Sequence, residues 1–79
     1  MSIVGTLVIS KCGHDKGECY VISAIIDDKH VFVANGENRQ VAKAKRKNIR
    51  HLSITKSRVA AIDDLGIKGA IKTFKRGNG

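Results

Sequence analysis

Residues 4–26 read VGTLVISKCGHDKGECYVISAII, two β-branched runs on either side of a polar, glycine-containing turn. The runs 4–12 (VGTLVISKC) and 18–26 (ECYVISAII) are rich in Val and Ile. Branched side chains of this kind suit a pleated, half-buried surface. Between them, Gly13-His14-Asp15-Lys16-Gly17 supplies the residue types that a chain reversal uses. The stretch predicts strand, turn, strand, and no helical period of useful length appears before residue 55.

Outward from that core, Asp27-Asp28-Lys29 predicts a turn and residues 30–34 (HVFVA) a third strand. Asn35-Gly36 follows, a dipeptide favoured in two-residue type I′ hairpin turns because both central residues need positive φ. It predicts a tight hairpin into a fourth strand over about 38–43 (NRQVAK). Residues 48–54 (NIRHLSI) alternate imperfectly and predict a fifth short strand. Strands spaced by about 8–12 residues with tight turns predict a small closed or half-closed antiparallel barrel. Closure also removes the exposed edges that make so much β-branched sequence hazardous.

The chain then changes character. Asp63 or Asp64 can cap a helix, and Leu65, Ile67, Ala70, Ile71 and Phe74 follow at helical spacing. Lys72, Lys75 and Arg76 load the end where the helix dipole favours cations, and Gly77-Asn78-Gly79 reads as the stop. Gly66 and Gly69 weaken this helix by about 1 kcal/mol each relative to Ala. Residues 55–62 (TKSRVAAI) fit either a helical turn or an extended connector. The expected organisation is one small domain: a barrel over residues 1–54 and a basic C-terminal extension with a short helix over 55–79. A chain of 79 residues is too short for a dinucleotide-binding enzyme or an eight-stranded α/β barrel.

Charge is the first functional signal. Fifteen Lys and Arg stand against seven Asp and Glu, for a net +8. Residues 1–40 carry four basic against five acidic residues, whereas residues 41–79 carry eleven against two. Charge spread for solubility would not segregate in this way, so the basic half points to a polyanionic partner, nucleic acid before anionic membrane. Lys43, Lys45, Arg46, Lys47 and Arg50 place five cations in eight residues, with nothing acidic near them in sequence. A phosphate backbone relieves their repulsion and releases counterions. Arg46 and Arg50 can also fork onto phosphate or stack on a base. Lys11, His14 and Lys16 flank the first turn, where Asp15 and Glu18 dilute the charge; a positioning contact with the sugar-phosphate backbone is the expected role.

The aromatics are Tyr20, Phe32 and Phe74 alone. Tyr20 and Phe32 fall within strands and are expected in the core. Their scarcity argues against a stacking binder of single strands and against a proline-peptide groove. Recognition by shape and phosphate remains, which suits structured RNA.

Two segments carry a family resemblance. Gly5, the strand after it, the turn ending Asp15-Lys16-Gly17 and a second strand running to about Val31 resemble the KOW motif. That motif occurs in ribosomal proteins and in transcription elongation factors of the Spt-five and NusG type, and Gly17 stands at its signature glycine. The segment Lys43 to Leu52 resembles the basic strand-entry segment of the large-subunit ribosomal protein family of the archaeal and eukaryotic fourteen-e type. Ala44 stands where that family commonly carries proline. The resemblance covers residues 5–52. It implies a five-stranded SH3-like barrel of the KOW type, RNA binding, and association with the ribosome or its assembly, with ribosomal proteins as neighbours.

Other chemistries find little support. Cys12, His14, Cys19, His30 and His51 lack the ligand spacing of structural zinc, so no metal or other cofactor is expected. Cys12 and Cys19 bracket the first turn and are read as small apolar residues with reduced thiols. Asp27-Asp28 and Asp63-Asp64 are adjacent pairs at a turn and a cap and form no paired-carboxylate site, so no enzyme is expected. The opening run Met1 to Ser10 lacks a basic leader and is far shorter than the ~20 residues that span a bilayer, so a soluble, cytoplasmic protein without a membrane role is expected.

The combined expectation is a mainly β RNA-binding protein that uses Lys11, His14, Lys16, Lys43, Lys45, Arg46, Lys47, Arg50 and His51, with Gly13, Gly17 and Gly36 shaping the turns. Two rivals from other classes are a protein-interaction module of transcription or translation and a non-specific binder of duplex DNA.

Overall fold

The structure is a computed structural model that describes residues 3–77. Five strands, β1 (Thr6–Ser10), β2 (Cys19–Ile25), β3 (His30–Ala34), β4 (Lys45–Asn48) and β5 (Leu52–Arg58), precede one helix, α1 (Asp64–Gly77). All pairings are antiparallel and the strand order is β4-β3-β2-β1-β5. The protein is thus mainly β with one C-terminal helix. No ladder among the described residues joins β4 to β5, so the sheet is not closed.

The near-continuous apolar runs of β1 and β2 have a clear cause. These strands are covered on both faces, so alternation is suppressed. On one face, Leu7, Cys19, Val21 and Ala34 meet Ile67 and Ile71 of α1. On the other, Val8, Tyr20, Ile22, Val31, Val33 and Leu52 form a second cluster. Each core is thin, but together they bury most of β1, the first four residues of β2 and most of β3.

The first three strands lie where the sequence predicts, and β3 matches its predicted bounds. The fourth does not. Residues 41–43 form a 3-10 turn, and β4 starts at Lys45. Asn35-Gly36 is therefore no two-residue hairpin; the connection runs from 35 to 44. Among the described residues only glycines have positive φ, so Asn35 does not occupy a type I′ turn. It works through its side chain instead. Its Oδ1 accepts from the Glu37 and Arg39 amides at 3.0 Å each, and its Nδ2 donates to Asn38 at 2.7 Å. Gly36, with φ of 79°, lies against α1 so closely that a Cβ would collide with the Asp64 carbonyl and come within 3.0 Å of the Lys68 amide. Asp64 then accepts from the Val41 amide at 2.7 Å. The loop is long because it docks on the helix.

The predicted fifth strand over 48–54 splits. Residues 49–51 form a second 3-10 turn, capped by the Asn48 side chain accepting from the Arg50 amide at 2.9 Å. The strand continues through the ambiguous 55–62 region as far as Arg58. Asp63 caps α1, its Oδ1 accepting from the Gly66 amide at 2.6 Å. The helix runs through Gly77; Asn78 and Gly79 of the predicted stop lie outside the described residues.

The glycines at 36 and 69 should respond oppositely. Gly36→Ala meets both a backbone collision and a left-handed φ, and should cost about 2 kcal/mol or more. Gly69 is helical with open space around it, so Gly69→Ala should stabilise by about 1 kcal/mol. Urea denaturation of the two variants checks both signs.

Candidate functional site

The basic residues are sorted by the alternation of β4. Val31 faces Lys47 and Val33 faces Lys45 across β3 and β4, so both lysines lie on the side of the second core cluster. Arg46, between them, faces the opposite side, paired with Phe32. Lys45 and Lys47 do not stand free. The first turn folds over them and Asp15 takes both, Oδ2 to Lys45 at 3.1 Å and Oδ1 to Lys47 at 2.9 Å. Ser10 Oγ and Tyr20 OH donate to the same carboxylate at 2.9 and 3.0 Å. The acid that offsets the basic run comes from thirty residues away in sequence.

Asp15 and Lys47 keep only 11% of their side chains exposed. Burial pushes the Asp15 carboxyl up, but hydrogen bonds from Lys47, Ser10, Lys45 and Tyr20 outweigh it and hold the group well below the usual carboxylate range. Burial, the bond to Asp15 and the negative charges of Asp15 and Glu18 push the Tyr20 hydroxyl up to about 12. The turn that carries Asp15 is closed by the Gly17 amide on the Ser10 carbonyl at 2.8 Å. Gly13 and Gly17 have φ of 87° and 91°, values that a side chain rarely allows.

The remaining basic residues divide into groups. The 3-10 turn at 49–51 carries exposed Arg50 and His51 and is held on two sides. The Ile49 amide donates to the Lys29 carbonyl at 2.8 Å, and the Lys11 amide donates to the His51 carbonyl at 2.8 Å. Lys11, Lys29, Arg50 and His51 are thereby brought together, and all are exposed. His14 and Lys16 are exposed on the first turn, which follows Lys11 in the chain. Lys43 and Arg46 stand apart, on the Phe32 side of the sheet. Among the described residues none of these side chains forms an ion pair, whereas Asp15 pairs with Lys45 and Lys47, Lys68 lies 3.6 Å from Glu37, and His30 Nδ1 is within hydrogen-bond distance of Asp27 at 3.0 Å. Asp27 sits below its ordinary carboxylate range because it accepts from the Lys29 amide and, more weakly, from His30.

The sequence reading missed three features. Asp15 reads from sequence as a turn residue that dilutes the charge, and its role as partner of Lys45 and Lys47 depends on contacts no local pattern encodes. Lys29 joins the 49–51 turn through a long-range backbone bond, again with no local signal. Lys68, Lys72 and Lys75 form an exposed stripe on α1 beside Glu18 and Glu37. Their i, i+4, i+7 spacing was legible as one helix face. Phe32 corrects an expectation: it is 39% exposed, whereas Tyr20 is buried as expected. Strand β3 is covered at Val31 and Val33 on one face, but α1 does not extend over Phe32 on the other. Cys19 is buried and Cys12 half-buried, and both are free thiols. Among the described residues no group of three or more His, Cys, Asp or Glu could hold a metal ion. No helix among them is long and apolar enough to cross a membrane.

No protein-family model matches the chain, and no curated protein does.

The Asp15 cluster sets two outcomes. Lys47→Ala leaves a mostly buried carboxylate with fewer donors and should cost about 3 kcal/mol, whereas the more exposed Lys45→Ala should cost under about 1 kcal/mol. Urea denaturation of the two variants ranks them. Acid acts in a defined direction. A carboxyl held low in the folded state contributes stability that is full above its unfolded pKa of about 3.9 and is lost as pH falls through the folded value. Asp15→Asn should therefore be less stable than the parent at pH 7 and lose less stability on acidification. Thermal melts from neutral pH down to about pH 3 measure the difference in slope.

Proposed function

We propose that the chain is an RNA-binding protein that grips structured RNA, ribosomal RNA first, by neutralising phosphates from a rigid β scaffold. The observation that carries this reading is the joining of Lys11 and Lys29 to the 49–51 turn of Arg50 and His51 by backbone hydrogen bonds, with His14 and Lys16 exposed on the turn that follows Lys11. Exposed basic side chains on backbone segments tied to one another, with no ion pair of their own among the described residues, suit a phosphate backbone better than a solvated loop does. Lys45 and Lys47 take a structural part in this reading, since Asp15 already neutralises one of their two charges. Lys43 and Arg46 supply a second basic edge.

The finer fold reading belongs to the same proposal. The strand order, the long first turn between β1 and β2, and the 3-10 turn between the two edge strands support an SH3-like barrel of the KOW type. Gly17 at the end of the first turn, with its positive φ, agrees with the role of the motif's signature glycine. A ribosomal or ribosome-associated role in the cytoplasm rests on the resemblance of residues 5–52 and on charge. No catalytic role is assigned to any residue.

Cosedimentation with ribosomal subunits across a salt series tests the reading. Retention should fall as salt rises, with a log–log slope of about −0.7 to −0.9 per phosphate neutralised. Lys11→Ala combined with Arg50→Ala should lower affinity severalfold, reduce that slope by about one to two units, and leave the urea midpoint nearly unchanged. Retention indifferent to salt, or unaltered in the double variant, would sink the assignment and favour a protein partner.

A further inference from the structure

Ala24, Phe32 and Arg46 are cross-strand partners in one row over β2, β3 and β4, so their side chains share one face. Beside this row the 3-10 turn of residues 41–43 forms the wall of a shallow groove of about 260 Å³, with Phe32, Ala24 and Val41 as its apolar part and Lys43 at its rim. That volume lies just below the ~300–1,000 Å³ of pockets that take drug-sized ligands, and it suits a single flat heterocycle. Among the described aromatic side chains Phe32 is the exposed one, whereas Tyr20 is buried and Phe74 half-buried. Lys43 and Arg46 are also exposed, and neither forms an ion pair among the described residues.

We infer that this groove is a subsite for one unpaired nucleobase of RNA, which stacks on Phe32 while Arg46 and Lys43 hold its flanking phosphates. The inference rests on the RNA-binding reading and deepens it, because it adds a contact to an unstacked nucleotide where charge alone would read only backbone. The chemistry selects the occupant. An apolar or proline side chain would cover Phe32 but leave two neighbouring cations without a counter-charge. A nucleotide brings a π-face and an anion joined at a fixed distance, and Arg can add its own plane to the stack. Base–aromatic stacking tolerates any base, so the subsite selects for an extrahelical nucleotide and not for a sequence.

The probe is an RNA hairpin with one bulged fluorescent aminopurine, set against the same hairpin with that base paired. The parent should bind the bulged hairpin roughly tenfold more tightly than the paired one, with a change in aminopurine fluorescence. Phe32→Leu keeps apolar cover and should remove that preference, while binding to the paired hairpin stays within about twofold of the parent. Lys11→Ala combined with Arg50→Ala should weaken both hairpins equally. If Phe32→Leu keeps the parental preference while binding remains salt-dependent, the base subsite is wrong and the RNA reading stands. If the parent binds neither hairpin, the subsite falls with the RNA reading. If a proline-rich peptide, and neither hairpin, shifts the amide NMR signals of Phe32 and Lys43, the groove takes protein and the inference is overturned.

Discussion

A single carboxylate holds together parts of the sheet that no ladder joins. Asp15 receives Ser10 from β1, Tyr20 from β2, and Lys45 and Lys47 from β4. In the order β4-β3-β2-β1-β5, the first of these strands is separated from the fourth by two others. Backbone hydrogen bonds act only between neighbours, so an attraction between β4 and the β1–β2 pair needs another source. Asp15 supplies it on the side of the second core cluster. Desolvating a carboxylate is costly in isolation, and four donors at 2.9–3.1 Å offset that cost. The same contacts fix the first turn in place, and with it the positions of His14 and Lys16.

This arrangement changes what a basic run in a sequence means. Five cations in eight residues look like one patch when read along the chain. Folded, they fall into three settings. Lys45 and Lys47 point into the structure and are partly neutralised, Arg46 points to the other face with Lys43 nearby, and Arg50 leads the turn that meets Lys11 and Lys29. The inward lysines of β4 have a further consequence. An edge strand with charges turned inward is a poor template for another strand, so the residues that shape the sheet also protect its edge.

Local chemistry made β1, β2, β3 and α1 legible. Their apolar runs are long because two cores sandwich the central strands, and Asp63 caps the helix through a bond three residues long. Positions decided by distant contacts were not legible. The Asn35-Gly36 pair carries a strong local preference for a tight turn, yet docking of Gly36 on α1 and the Val41–Asp64 bond draw the chain into a longer loop. That docking displaces the fourth strand from 38–43 to 45–48. Phe32 looked like core because it alternates within a strand, but a helix that stops short of its face leaves it in water. The candidate site divides along the same line. Its residue types and charge were readable, and its geometry was not, because Asp15, Lys29 and Phe32 take their places through the fold.

The exposed face of Phe32 is best weighed against the thinness of the cores. A domain of this size has little apolar surface to spare, and a fully buried Phe contributes about 1.5–3 kcal/mol more than an exposed one. Leaving Phe32 39% exposed forgoes part of that gain. An uncovered apolar strip on a sheet face would ordinarily invite a second copy to pack there. Arg46 and Lys43 oppose this, because two copies meeting through the strip would bring like charges into contact. A polyanion meets the opposite situation: it gains from the cations and can also cover the ring. The same two side chains thus disfavour self-association and favour a phosphate-bearing ligand, a combination that an apolar strip alone does not provide.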